Sequence, residues 1–251
     1  MKSAKAVFQR VTSVGAAMVL ALLVTGCASG PTAIPSDPLE PWNRGVYKFN
    51  DAVDRAVVRP VAVAYRDVVP SPVKTGVSNF FNNLQDAWSF VNHALQFKGE
   101  AASNSLVRFG VNSVFGLGGL LDIATEMRIE RSTKDFGHTL GYWGVGAGPY
   151  LMLPLFGPST LRDTVALTVD SQGDLLSDVG HVPTRNSATA VKLVNLRASL
   201  LKATDMLDQV ALDPYAFVRD AHLARRQSAV YDGNPPSDEP STPIDEKPSA
   251  P

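Results

Sequence analysis

The chain holds one cysteine, Cys27, in 251 residues. A single thiol excludes a disulfide framework and a cysteine-based metal site, so the fold must rest on packing. Apolar runs are short: the longest useful one, Val11 to Val24, falls below the ~20 residues that cross a bilayer as a helix. There is no basic surplus. Three of the 23 Lys and Arg residues precede Cys27 with no acid among them, leaving 20 basic against 24 acidic residues and a net charge of −4 from Cys27 onward. Nucleic-acid binding would need a basic face that this balance does not supply. His93, His138, His181 and His222 are scattered, and none stands in a metal-ligand spacing such as His-Glu-x-x-His. No Gly-x-Ser-x-Gly elbow occurs. Gly144-Val-Gly-Ala-Gly148 lacks a preceding strand and runs into Pro149 instead of opening a helix, which argues against a phosphate loop. Asp67, Asp122 and Asp163 are read as caps or as partners of arginines such as Arg66 and Arg162. With no catalytic constellation, the chain reads as non-enzymatic and free of metal.

What is present begins at the N-terminus. Lys2, Lys5 and Arg10 form a positive start, Val11–Val24 an apolar segment, and Val24-Thr-Gly-Cys27 a small-residue cleavage site. This is a bacterial lipoprotein signal: cleavage falls between Gly26 and Cys27, and the thiol takes the lipid. Residues 1–26 are the expected signal peptide and 27–36 a lipidated tether. Ala28 follows the cysteine, where an aspartate would resemble an inner-membrane retention signal, so the outer membrane is expected.

The rest reads as helices. Asp37-Pro-Leu-Glu40 has the form of a capping box, followed by a Trp42, Val46, Phe49, Val53 stripe. Pro60 and Pro70 bound a second helical piece, and Ser71-Pro72 restarts a third. Its apolar stripe is Val73, Val77, Phe80, Leu84, Trp88, Val91 and Leu95. About 100° around lie Ser78, Asn82, Gln85, Ser89, Asn92 and Gln96, polar but uncharged. Soluble surface helices usually carry charge on the wet face. Two environments suit this pattern: a core whose amides satisfy their neighbours, or a hydrated, uncharged passage, for which Ser78, Asn82, Gln85, Ser89 and Asn92 are the candidate lining. Helix is expected over 99–124 with breaks at Gly116, Gly118 and Gly119, a solvated connection over 125–135, short helix over 159–169, turns over 170–183, helix around Leu193–Leu207, and a last helix capped by Asp213-Pro214.

From Phe136 to Leu161 no residue is charged. Glycines and Pro149, Pro154 and Pro158 forbid a continuous helix there, so the segment is packed in protein or set near lipid. Tyr142, Trp143 and Tyr150 have the character of interfacial anchors. Residues 231–251 are Pro-rich and acidic and are expected to be disordered.

Several blocks resemble the MlaA (VacJ-like) lipoprotein family: Asp37-Pro-Leu-Glu-Pro-Trp-Asn-Arg-Gly-Val-Tyr-Lys-Phe-Asn50, Arg59-Pro-Val-Ala-Val-Ala-Tyr-Arg-Asp67, Asn112-Ser-Val-Phe-Gly-Leu-Gly-Gly119, Phe136–Tyr150 and Gly157-Pro-Ser-Thr-Leu-Arg-Asp163. The resemblance implies an all-α, ring-shaped helical domain over 37–230 with a Gly-rich hairpin-like loop. It implies an outer-membrane lipoprotein, facing the periplasm, that removes phospholipid from the outer leaflet through an amphipathic channel. A soluble periplasmic carrier receives the lipid, and a trimeric porin is a partner. Covalent lipid on Cys27 and the transported phospholipid are the expected ligands. Phe49, Asn50, Gly137, Gly141, Tyr142, Trp143 and Gly148 are candidate gate residues, the glycines as hinges. The competing expectation is an outer-membrane scaffold that binds porin or peptidoglycan and moves no lipid.

Overall fold

The computed structural model describes residues 36–236; the expected signal peptide, Cys27 and the tail from residue 237 lie outside the described residues. The described chain is helical apart from one two-stranded sheet. Its elements are α1 (Glu40–Val53), a π-helical stretch (Asp54–Val58), α2 (Arg59–Val68), α3 (Ser71–Leu95), α4 (Gly99–Val114), α5 (Ile123–Glu126), α6 (Phe136–Tyr142), β1 (Tyr150–Leu153), β2 (Gly157–Thr160), α7 (Leu161–Gly173), α8 (Val182–Val210) and α9 (Pro214–Val230). β1 and β2 are antiparallel, pairing Tyr150 with Thr160 and Leu153 with Gly157.

The elements close a circuit. α1 continues through the π stretch into α2, which packs on α8. α8 meets α3, α3 meets α6, and α6 meets α7 and α9. Both α7 and α9 reach β2, and β1 returns to α1. The π stretch is where Pro60 intrudes. Its ring clashes with the carbonyl four residues back, and the ladder locally lengthens, so that the Arg59 N–H bonds the Asp54 carbonyl.

The interior of this ring is polar. Among the described residues, buried polar and charged side chains outnumber buried apolar ones, while many large hydrophobics face outward, including Phe97 at 91% and Phe156 at 81% exposure. Scattered exposed leucines are ordinary, but buried polar side chains on this scale are informative. On α3 the buried residues are Asn83, Asp86, Ser89, Asn92 and His93, whereas Val73, Val91 and Leu95 of the apolar stripe are exposed. No helix of the described residues is long and apolar enough to cross a membrane.

Polar side chains survive in the interior because they are paired. Arg108 sits under α3, giving Nη2 to both Asp122 oxygens at 2.9 Å and Nη1 to the Ile129 carbonyl at 2.6 Å. Asp86 Oδ1 accepts Arg131 Nε at 2.8 Å. Burial raises the Asp86 pKa, with Arg131 and Arg108 opposing the shift. A second network joins Arg226 to Asp135 and, at 2.8 Å, to Asp163. The apolar core is small: Val46, Tyr150, Met152 and Tyr215, flanked by Tyr47, Val218 and Leu223. Burying a side chain such as Met152 contributes about 1.5–3 kcal/mol.

Several sequence expectations change. Asp37 does not cap α1. Leu39 is the N-cap without a side-chain bond, and the Asp37 carboxylate is buried, accepting from Asn43 at 2.8 Å, Tyr215 at 2.5 Å and Arg219 at 3.3 Å. Three donors from α1 and α9 hold the carboxylate away from the helix start. Ser71 likewise makes no cap; Pro70 holds that position. The 125–135 segment is exposed over much of its length, as expected, but two of its charges turn inward: Arg131 reaches Asp86, and Lys134 is 2% exposed, with Nζ on Asp232 at 2.6 Å. The uncharged 136–161 stretch contains a short helix and a hairpin. α4 stops at Val114, ahead of Leu117, Gly118 and Gly119, all with left-handed backbone. A Cβ at Gly119 would come within 2.7 Å of Asn83. α7 runs to Gly173, past the expected turn at 170. Asp213 caps α9 as expected, accepting from Ala216 N–H at 3.2 Å.

Candidate functional site

A cavity of about 320 Å³ opens where α1, the π stretch, the hairpin and α8 face one another. Its apolar wall is Tyr47, Met152, Pro158, Leu200, Leu207 and Val218. Its charged wall is Asp51, Asp54, Arg55, Arg59, Arg197 and Asp208. Helical spacing explains the division. Asp51, Arg55 and Arg59 recur every four residues on one face, and α8 contributes Arg197, Thr204 and Asp208 beside Leu200 and Leu207.

Most of the charges are paired, two of the arginines reaching across to acids of the facing helix. Arg197 Nε and Nη2 grip the two oxygens of Asp54, each at 2.7 Å. Arg55 bonds Asp51 at 2.9 Å. Arg59 Nη2 bonds Asp205 Oδ1 at 2.7 Å, and its Nη1 lies 3.9 Å from Asp208, beyond hydrogen-bond distance. The Tyr47 phenol is raised, first by burial, then by the negative field of Asp51 and Asp208.

The hairpin that supplies Met152 and Pro158 is fastened by two asparagines of α1. Asn43 gives Nδ2 to the Tyr150 carbonyl at 3.0 Å and accepts the Met152 N–H at 2.8 Å. Asn50 repeats this one helical face later, giving Nδ2 to the Leu153 carbonyl at 2.9 Å and accepting the Leu155 N–H at 2.8 Å. Each amide replaces a missing strand partner for backbone that would otherwise be unpaired. Phe49, beside it, is 51% exposed.

The uncharged stripe of α3 divides between two places. Ser89 and Asn92 are fully buried: the Lys134 N–H bonds Ser89 Oγ at 3.2 Å, and Asn92 Oδ1 accepts from Thr139 at 2.7 Å. Both side chains are buried and bonded to neighbouring elements. Ser78 accepts from Asn195 Nδ2 at 2.8 Å and lines a second, polar cavity of about 380 Å³ with Arg66 and Lys74. Asn82 is half-buried and gives its carbonyl to Arg131, and Gln85 is exposed.

Of the candidate gate residues, Gly137 and Gly141 lie inside α6. A Cβ at Gly137 would come within 2.5 Å of Arg226 and Asp163, and one at Gly141 within 2.6 Å of Arg162. Those positions serve close packing. Gly148, with φ 68°, uses the backbone freedom that only glycine has at no cost. Tyr142 and Trp143 are half-exposed, and Trp143 Nε1 bonds the Leu95 carbonyl at 3.2 Å. His138 closes a capping box with Asp135. Asp67 pairs with Arg66 and Asp163 with Arg162, while Asp122 caps α5. Among the described residues no His, Cys, Asp or Glu group could hold a metal ion.

Sequence reading missed the charged wall. The Asp51, Asp54, Arg55, Arg59 run was visible, but nothing in its spacing shows that Arg197 and Asp208, some 150 residues on, lie opposite.

Comparison with known proteins agrees with this architecture. The family model for the MlaA lipoprotein matches residues 35–229. The intermembrane phospholipid transport system lipoproteins MlaA of Shigella flexneri and Escherichia coli K12 are each 39% identical over 217 residues, covering 84% of this chain and 86% of theirs. The protein of the same name from Haemophilus influenzae is 35% identical over 227 residues, 86% of this chain and 90% of its own. A solved structure described as "Structural basis for maintenance of bacterial outer membrane lipid asymmetry" superposes with a TM-score of 0.69 at 38% identity, covering 78% of this chain and 99% of that one. This family is a lipid-transport component and not an enzyme family. Identity of this extent over most of the chain, together with the shared fold, means that the chain belongs to the MlaA lipoprotein family.

Proposed function

We propose that this protein takes phospholipid from the outer membrane and passes it, through its ring, toward a soluble periplasmic carrier, so maintaining lipid asymmetry. The observation that supports this most is the amphipathic cavity, apolar on one wall and charged on the other. At about 320 Å³ it sits at the lower end of the ~300–1,000 Å³ usual for small-ligand sites. That is room for a headgroup and its first methylenes, with the chains trailing along apolar surface. A headgroup in hydrocarbon faces a desolvation cost idealised at about 20 kcal/mol per ion; a polar wall lowers it. The names of the relatives, which are intermembrane phospholipid transport lipoproteins, agree with the reading.

In this proposal, acyl chains on Cys27, after cleavage beside Gly26, set the protein in the inner leaflet of the outer membrane. Burying two or more chains at ~0.8 kcal/mol per methylene holds it there. The exposed hydrophobics lie against lipid and a trimeric porin. Ser78, Asn82 and Gln85 line the hydrated side of the lipid's route. Asn50 tethers the moving hairpin, and Gly148 hinges the loop that carries Tyr142 and Trp143.

The test is to fill the cavity. Leu207→Trp, made in the full-length lipoprotein, should raise outer-leaflet phospholipid in cells while the purified variant keeps its helical circular dichroism. Outer-leaflet phospholipid at the wild-type level would overturn the proposal and leave the scaffold reading.

A further inference from the structure

The charges around the cavity carry information about headgroup chemistry. Three acids and three arginines line it, and they are unequally engaged. Arg197 and Asp54 are locked together by two bonds of 2.7 Å. Arg59, by contrast, makes one hydrogen bond among the described residues, to Asp205. Asp208 makes none among them, its nearest cation being Arg59 Nη1 at 3.9 Å. Their side chains are 36% and 44% exposed, so both are open to a ligand. A guanidinium with spare N–H groups thus stands beside a carboxylate with spare acceptors, against an apolar wall.

Resting on the lipid-transport reading, we propose that this cavity prefers a zwitterionic phospholipid carrying a primary ammonium, with phosphate on Arg59 and ammonium on Asp208. An ammonium adds three donors that the Asp208 oxygens accept. A glycerol headgroup offers the same phosphate to Arg59 but no cation to Asp208, so the lipid's net negative charge stands beside an unpaired carboxylate, and like-charge juxtaposition is how such sites reject a ligand. At this exposure the discrimination is modest, about three- to fivefold.

Full-length lipidated protein is equilibrated in detergent micelles holding equal phosphatidylethanolamine and phosphatidylglycerol with matched acyl chains. Bound lipid is then quantified by mass spectrometry. Wild type should hold the ethanolamine lipid in about three- to fivefold excess. Asp208→Asn should bring the ratio to that of the micelle, and Arg59→Gln should lower both lipids together. A wild-type ratio equal to the micelle, or a ratio untouched by Asp208→Asn, overturns the headgroup assignment. Leu207→Trp separates the two readings: if it leaves the amount of bound lipid unchanged, the cavity is not the lipid site at all.

Discussion

Asn43 Nδ2 donates to the Tyr150 carbonyl at 3.0 Å across 107 residues of sequence, and its Oδ1 accepts the next inward-facing N–H of the same strand. One fully buried amide therefore fixes the hairpin to α1 and holds Met152 against the cavity. Asn43→Ala should cost about 1–3 kcal/mol, because it strands a buried carbonyl and N–H together. Thermal unfolding measures the loss. Asn43→Asp, which keeps the acceptor and loses the donor to Tyr150 and Asp37, should be no better; wild-type stability in either variant would show that the asparagine is dispensable.

The Asp86 carboxylate lies between Arg131 and Arg108 with 2% of its side chain exposed. Asp86→Ala should destabilise by about 1–3 kcal/mol, since it takes the buried carboxylate from Arg131 while Arg108 keeps Asp122. Chemical denaturation of Asp86→Ala alongside the double variant Asp86→Ala/Arg131→Met checks the cause: the second change should recover part of the loss.

His222 has its pKa pushed down to about 4, first by burial, then by the Arg226 charge. Burial also lowers His93. A group with a depressed histidine pKa is neutral in the fold and binds its proton more readily when unfolded. Its contribution is whole above about pH 6.5 and is lost as pH falls toward 4. Asp86 and Asp170 are raised by burial and act in the opposite sense, so the comparison with a variant is the measurement. Melting temperature should fall less between pH 6.5 and 4 in His222→Gln than in wild type; parallel curves would remove His222 from the account.

Two glycines should respond oppositely to alanine. A Cβ at Gly173 would stand 2.2 Å from the Trp88 ring, whose Nε1 bonds Asp170 at 2.7 Å. Gly173→Ala should therefore lower the melting temperature and break that indole bond. At Gly45, within α1, nothing lies within 4 Å, and Gly45→Ala should stabilise by about 0.5–1 kcal/mol through helix propensity. Scanning calorimetry on both variants reads the two signs.

The exposed tryptophans report on the surroundings of the ring. Trp42 is 64% and Trp143 49% exposed. If the apolar exterior lies against lipid, bromine-labelled acyl chains should quench both in vesicle-reconstituted protein, and acrylamide should quench them weakly. Strong acrylamide quenching with no effect of bromine would place that face in water.

The sequence by itself determined the helical class and most helix positions, because these follow from local signals: the 3.6-residue period, Asp213-Pro214 ahead of α9, and the Pro and Gly breaks; the family was legible through motif blocks such as Asp37–Asn50 and Phe136–Tyr150. The uncharged polar stripe of α3 was equally plain. Only the tertiary structure decided where that stripe leads. Ser89 and Asn92 are sealed by Lys134 and Thr139, whereas the charged wall comes from Asp51, Arg59 and Asp208 on separate helices. Apolar stripes, usually a guide to the interior, do not mark it here: Val73, Val91 and Leu95 of the α3 stripe are exposed. In this ring the inward faces are chosen by long-range pairings such as Asp37 with Arg219 and Arg108 with Asp122, and no spacing along the chain records them.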